Sequence, residues 1–186
     1  YTGRTIQEVS SVEQLSDPED WGGLIADLMG LPSTEFTGSG QVEHKATTTA
    51  GFRQHFYGLV PGVSEQKEEE IKHPLITTAM VDPFNCLWGQ KSVQFDGKKW
   101  ERPVVDLNLV AEFDKAVGEW MRKRQRPKLL ISTQTKVIEV VVDEKGDWVP
   151  LTPLIIVEPQ EEDLWALAAS LSSPIVSALA ARQTAG

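Results

Sequence analysis

Residues 128–159, "KLLISTQTKVIEVVVDEKGDWVPLTPLIIVEP", hold the densest β signal in the chain and decide its fold class. Three runs, "KLLIST", "KVIEVVVD" and "WVPLTPLIIVEP", are rich in Val, Ile, Leu and Thr, the residues that suit a pleated, buried surface. The last two are joined by "EKGD", a turn by its Gly and charged residues. After Pro159 the acids of "QEEDLWALAASL" suit a helix N-terminus. "SSPIVSALAARQ" starts a second helix, with Ser173 as cap and Pro174 at the first helical position.

Working back from this block, residues 108–124 carry helical periodicity. Val110, Phe113, Val117, Trp120 and Met121 fall on one face, and Asp106 or Asn108 can cap the start. "SVQFDGKKWERPVV" (92–105) alternates apolar residues around Asp96-Gly97, the preferred pair for a tight hairpin turn. "PLITTAMV" and "KATTTAGF" read as strands. "VSEQKEEEIKH" (63–73) reads as a solvated connection. "WGGLIADLMG" (21–30) places Leu24, Ile25 and Leu28 on one face of a short helix, and "STEFTGSGQ" follows as a loop. Residues 1–20 are polar and read as an arm or linker from a preceding domain; 21–186 form one domain. The order of strands, one helix, more strands and a helical pair specifies α+β. A mixed, mainly antiparallel sheet with flanking helices and a C-terminal helical pair is expected.

The composition narrows the chemistry. No apolar run approaches the roughly 20 residues needed to cross a bilayer, and the single Cys86 fits a reducing cytoplasm. Net charge is −9, but residues 91–136 carry 11 bases against 6 acids between two acidic flanks. A local basic face matters more to a phosphate backbone than the total. His44, His55 and His73 lie in polar connections without a Ser or Cys elbow, and with one Cys they make no metal-ligand spacing. Cys86 after "DPFN" reads as a packed small hydrophobe. No phosphate-binding glycine loop occurs. The sequence offers no self-sufficient active site.

Binding chemistry remains. "MRKRQRPKLL" sets Arg122, Lys123, Arg124, Arg126 and Lys128 within seven positions, enough to neutralise several phosphates if they face one way. In "TTTAGFRQHFYGLVP" (47–61), Arg53 and Gln54 have the side chains best shaped for bidentate contact with guanine and adenine edges. Phe52, Phe56 and Tyr57 either stack on an extruded base or anchor the loop; anchoring is expected for at least two of them. "STQTK" adds a row of short hydrogen-bonding side chains.

The segments "TAGFRQHFYGLVP", "PLITTAMVDPFNCLWGQKSVQFDGKKWERPVVDL", "RPKLLISTQTKVIEVVVDEKGDWVP" and "LWALAASLSSPIVSALAARQTAG" occur in that order. Together they resemble the C-terminal target-recognition region of adenine-specific DNA methyltransferases, the N-6 DNA methylase family of restriction-modification systems. The resemblance covers roughly residues 20–186. It implies a target-recognition-like domain that grips double-stranded DNA while a Rossmann-like domain, in cis or in trans, methylates a flipped adenine. The family's S-adenosylmethionine loop and its Asp/Asn-Pro-Pro-Tyr/Phe motif do not occur here, "VDPFN" having one Pro. No cofactor is therefore expected in this chain, and S-adenosylmethionine belongs with the catalytic domain. The resemblance implies phosphate contacts from Lys45, Arg122, Lys123, Arg124, Arg126 and Lys128. It implies base or groove contacts from Arg53, Gln54, His55, Tyr57, Gln134, Thr135 and Lys136, with Trp88, Gln90 and Lys91 of "WGQK" as a third group. "GFRQHFYG" is then a recognition loop. The rival readings are a scaffold that packs on a methylase or defence-system subunit, favoured by the acidity and the apolar C-terminal helices, and a nuclease.

Overall fold

In a computed structural model of the chain, the structure describes residues 30, 46–51, 53–67, 72–133, 135, 137–160 and 163–184. The arm, the loop at 33–41 and all but Gly30 of the helix read over 21–30 lie outside the described residues. The chain divides into two compact units, 36–177 and a second made of 1–35 with 178–186. In the second, Gly30 and Ala178–Thr184, the end of a helix, are described. All that follows concerns the first.

The fold is α+β, with five helices and twelve strands among the described residues. The β-rich block forms the centre of a four-stranded sheet. Strand β1 (Ala46–Ala50) pairs with β12 (Ile155–Pro159), β12 with β9 (Lys128–Ser132), and β9 with β10 (Glu139–Asp143), all antiparallel. Both faces are covered, which explains apolar runs that do not alternate with polar residues. Leu130, Val141 and Ile156 face a core completed by Ile76, Met80, Val81, Val93 and Leu154. Leu129, Val140 and Val157 face the other way, onto Leu167, Ala168 and Leu171 of α4 (Leu164–Leu171). Asp163 caps α4 by accepting from the backbone N–H groups of Trp165 and Ala166. Helix α5 (Pro174–Thr184) starts after Ser173, whose carbonyl accepts from Ser177 N.

A second sheet runs β11 (Val149–Pro150), β3 (His73–Ile76), β8 (Pro103–Val105), β2 (Val63–Glu65), with β11 and β3 parallel and the rest antiparallel. "EKGD" therefore does not close a hairpin; it hands the chain from the first sheet to the second. The connection read over 63–73 contributes β2, and "PLITTAMV" is strand only as far as Ile76, after which Thr78–Met80 turns as a 3-10 helix. Two ribbons complete the β structure: β4 (Val81–Asp82) with β5 (Asn85–Cys86), and β6 (Val93–Phe95) with β7 (Lys98–Trp100). The second ribbon turns at Asp96-Gly97 with φ 50° and 70°, the left-handed pair that a two-residue hairpin turn requires.

Helices α1 (Arg53–Leu59), α2 (Leu107–Phe113) and α3 (Lys115–Arg122) cover a third core. It contains Leu59, Leu75, Phe95, Val105, Val110, Val117 and Met121. The single helix expected over 108–124 is two. Asp106 caps α2, and Asp114, in extended conformation, ends it and caps α3 by accepting from Val117 N at 3.1 Å. The break releases Phe113 to solvent at 69% exposure while Val110, Val117 and Met121 stay buried.

Candidate nucleic-acid interface

"GFRQHFYG" is a helix from Arg53, not a loop. Arg53, Gln54 and Tyr57 are exposed. Phe56 turns inward against the third core and meets Phe95 edge-on at 4.9 Å. Of the three aromatics, Phe56 anchors, Tyr57 stays 55% exposed, and Phe52 lies outside the described residues. Arg53 donates to the Tyr57 hydroxyl at 3.3 Å, and its guanidinium carbon sits 5.4 Å from the ring centre, so fork and ring form one exposed unit.

The helix continues where Gly is unexpected because α3 lies against it. A Cβ on Gly58 would stand 2.7 Å from a methyl of Val117. This close approach stacks His55 on Trp120 of α3, rings 4.0 Å apart and 22° from parallel. Arg124 lies over the same indole at 4.0 Å and donates to the Trp120 carbonyl at 3.2 Å. The exposed face of α1 and the basic end of α3 therefore form one ridge: Arg53, Gln54 and Tyr57 at one side, Lys123 and Arg124 at the other, held together by His55 and Trp120.

Burial pulls the His55 imidazole below its usual value of 6.5, and the Arg124 charge adds to this while Asp114 opposes it. The folded state thus favours neutral His55. Its contribution to stability is full above that value and is lost as pH falls from it toward the lowered folded value. Thermal melts between pH 7 and 5 are expected to fall less for His55→Phe than for the parent chain.

The remaining basic residues go elsewhere. Lys128, expected at a phosphate, is fully buried, with Nζ 2.5 Å from Asp143 Oδ2. Strand alternation sets it on the same face as Leu130, two residues on, which is covered by the core around Ile76 and Met80. Arg126 donates through Nε and Nη2 to both carboxylate oxygens of Glu158, at 2.9 and 2.6 Å. Arg122 lies on the far side of α3 from Trp120 and donates to Asn108 Oδ1 at 2.9 Å. One row of like charges seen in sequence is therefore split three ways, and acids distant in the chain neutralise two members.

Two more groups stand apart from the ridge. Thr135 is exposed in the β9–β10 connection, where its hydroxyl donates to the Val137 carbonyl at 2.5 Å. That connection leaves the same sheet end as α1: Thr133 donates to the Pro153 carbonyl at 3.0 Å, and Thr152 to the Gly51 carbonyl at 2.6 Å. Gln90 and Lys91 are exposed, and the Lys91 charge partly offsets the rise that burial and Asp82 impose on the Glu139 carboxyl. Trp88 is committed to structure, donating to the Pro103 carbonyl at 2.8 Å under Arg102. Lys45, Gln134 and Lys136 lie outside the described residues.

Cys86 is half-buried on β5 against the first-sheet core, and burial pushes its thiol up, away from the reactive thiolate. Among the described residues no group of three or more His, Cys, Asp or Glu side chains is placed to hold a metal, and no single helix is long and apolar enough to cross a membrane. Compared with known proteins, the chain matches no protein-family model and no curated protein sequence.

Proposed function

We propose that this chain is the DNA-reading domain of an adenine-specific DNA methyltransferase, gripping duplex DNA while a separate S-adenosylmethionine-binding domain acts on the flipped base. The observation that carries the proposal is the His55–Trp120–Arg124 stack. It fixes a helix that exposes an Arg and a Gln beside a cationic helix end, which is what major-groove reading flanked by phosphate contact needs. Base edges fall to Arg53 and Gln54, and phosphates to Lys123 and Arg124. Gln90, Lys91 and Thr135 belong to the periphery. Lys128 takes no part, and Arg126 little, since Glu158 already holds its fork.

Fluorescence anisotropy on a pool of random duplexes at two salt concentrations tests this. Affinity should fall steeply with salt, and the double substitution Arg53→Ala/Lys123→Ala should weaken binding about tenfold or more, one base-edge contact and one phosphate contact being lost together. Arg126→Ala should change affinity little. Duplex binding that ignores Arg53 and Lys123, or none at low salt, would overturn the proposal and leave a scaffold that packs on a methylase subunit.

A further inference from the structure

Strand β10 is an edge strand of the first sheet, and the β4–β5 ribbon is fastened beside it, Phe84 N donating to the Val140 carbonyl at 2.8 Å. Phe84 turns that ribbon with φ 58°, in the left-handed region where a bulky side chain is an outlier. Glycine adopts this conformation freely, and Phe84 gains no core in exchange, its ring being 47% exposed. An exposed ring carried on an unfavourable backbone points to use rather than to packing. The ring stacks on Trp165, itself 48% exposed, with centroids 6.5 Å apart and planes 20° from parallel. Trp165 lies in the first turn of α4, and its Nε1 donates to Glu144 Oε1 at 2.6 Å. That bond fixes the indole and leaves Glu144 Oε2 without a hydrogen bond among the described residues.

We propose that the Phe84–Trp165 pair docks an arginine side chain of a protein partner. A guanidinium is planar: it lies flat on an aromatic face and donates in its own plane to a carboxylate. The pair offers the face, and Glu144 Oε2 offers an acceptor beside it. The surroundings select for positive charge. Asp163 caps α4 two residues before Trp165, and exposed Asp82 stands two residues before Phe84. The Glu139 carboxyl, raised first by burial, is raised further by Asp82. Asp82, Glu139, Glu144 and Asp163 thus outnumber Lys91 and Lys145 along this edge. Such a field attracts a basic segment and repels a phosphate backbone. Aromatic rings and arginines are also the side chains that dominate the energetic centres of protein interfaces. A lysine would bring the charge without the plane, and so would use only part of the site.

Fluorescence anisotropy of a labelled Gly-Arg-Gly-Arg-Gly-Arg-Gly peptide with the full chain tests this, the lysine and citrulline counterparts serving as controls. The arginine peptide should bind, the lysine peptide about fivefold more weakly, and the neutral citrulline peptide not measurably. Phe84→Gly removes the ring without altering charge and suits the left-handed backbone. It should weaken the arginine peptide about fivefold and leave the melting temperature unchanged or higher. Glu144→Gln, whose amide oxygen can still accept from Trp165, should weaken it by a similar factor and stands if Phe84→Gly folds poorly. No binding, or equal binding of the arginine and lysine peptides, overturns the proposal. So does binding that both variants leave unchanged, which would be general attraction to an acidic chain. Loss of random-duplex affinity in Phe84→Gly would also overturn it, by setting the pair against nucleic acid. Arg53 follows β1, the other edge strand of the sheet, so duplex binding through it can fail or hold independently of the peptide result.

Discussion

Lys128→Ala is expected to destabilise the fold by about 3–5 kcal/mol, the cost of leaving one partner of a buried ion pair uncompensated. Chemical denaturation of the two chains checks it. The register explains why the loss is large. Lys128 lies opposite Asp143 in β10, and one step beyond the Val157–Leu129 pair it stands beside Glu158 of β12. Arg126, Glu158, Lys128 and Asp143 thus alternate in charge across three strands, and three of the four are nearly or fully buried. Burial lowers the pKa of Lys128, and Asp143, Asp147 and Glu158 oppose that shift. With the ammonium gone, Asp143 keeps only the backbone N–H groups of Gly146 and Trp148, at 2.8 and 3.0 Å. Lys128→Met, which restores volume but not charge, should recover little, since the buried Asp143 carboxylate still lacks its cation. The proposed DNA reading adds a second readout: at temperatures where the variant is folded, its duplex affinity should match the parent's. A stable Lys128→Ala with weakened DNA binding would return this lysine to the interface.

How far the sequence reveals this molecule depends on the range of the interaction concerned. Asp96-Gly97 is legible because a two-residue turn needs only its own backbone preferences, and the Asp106 cap and the helix start at Pro174 follow equally local rules. Asp114 is misread because the apolar spacing continues across it, although an Asp three residues before Val117 is a cap signal. "GFRQHFYG" looks like a loop because its two glycines punctuate it. Gly58 is there for Val117, 59 positions later, and no local pattern contains that contact. The basic cluster fails in the same way. Sequence counts five cations but cannot see Asp143 and Glu158 arriving, 15 and 32 residues away, to neutralise two of them. Trp120, which joins the two halves of the ridge, was visible only as a core position of a helix. Its stacking on both His55 and Arg124 depends on where α1 lies.

The loop after β10 carries the second large effect. Gly146→Ala is expected to cost about 2–4 kcal/mol, again read by chemical denaturation, from two separate causes. Gly146 has φ +75°, a left-handed backbone that costs a side-chain-bearing residue about 1–2 kcal/mol. A Cβ there would also meet Arg126 backbone atoms at 2.2–2.6 Å, and overpacking typically adds about 1–3 kcal/mol. Backbone cannot swing aside as a side-chain tip can, so either the "EKGD" segment or the start of β9 must move. Both movements strain the same network, because Gly146 N donates to Asp143, and Arg126 is the residue that grips Glu158. Gly146→Ala and Lys128→Ala should therefore be non-additive, the double variant losing less than the sum of the singles. Additive losses would mean that the turn and the ion pair act independently, and that the glycine serves only its own backbone.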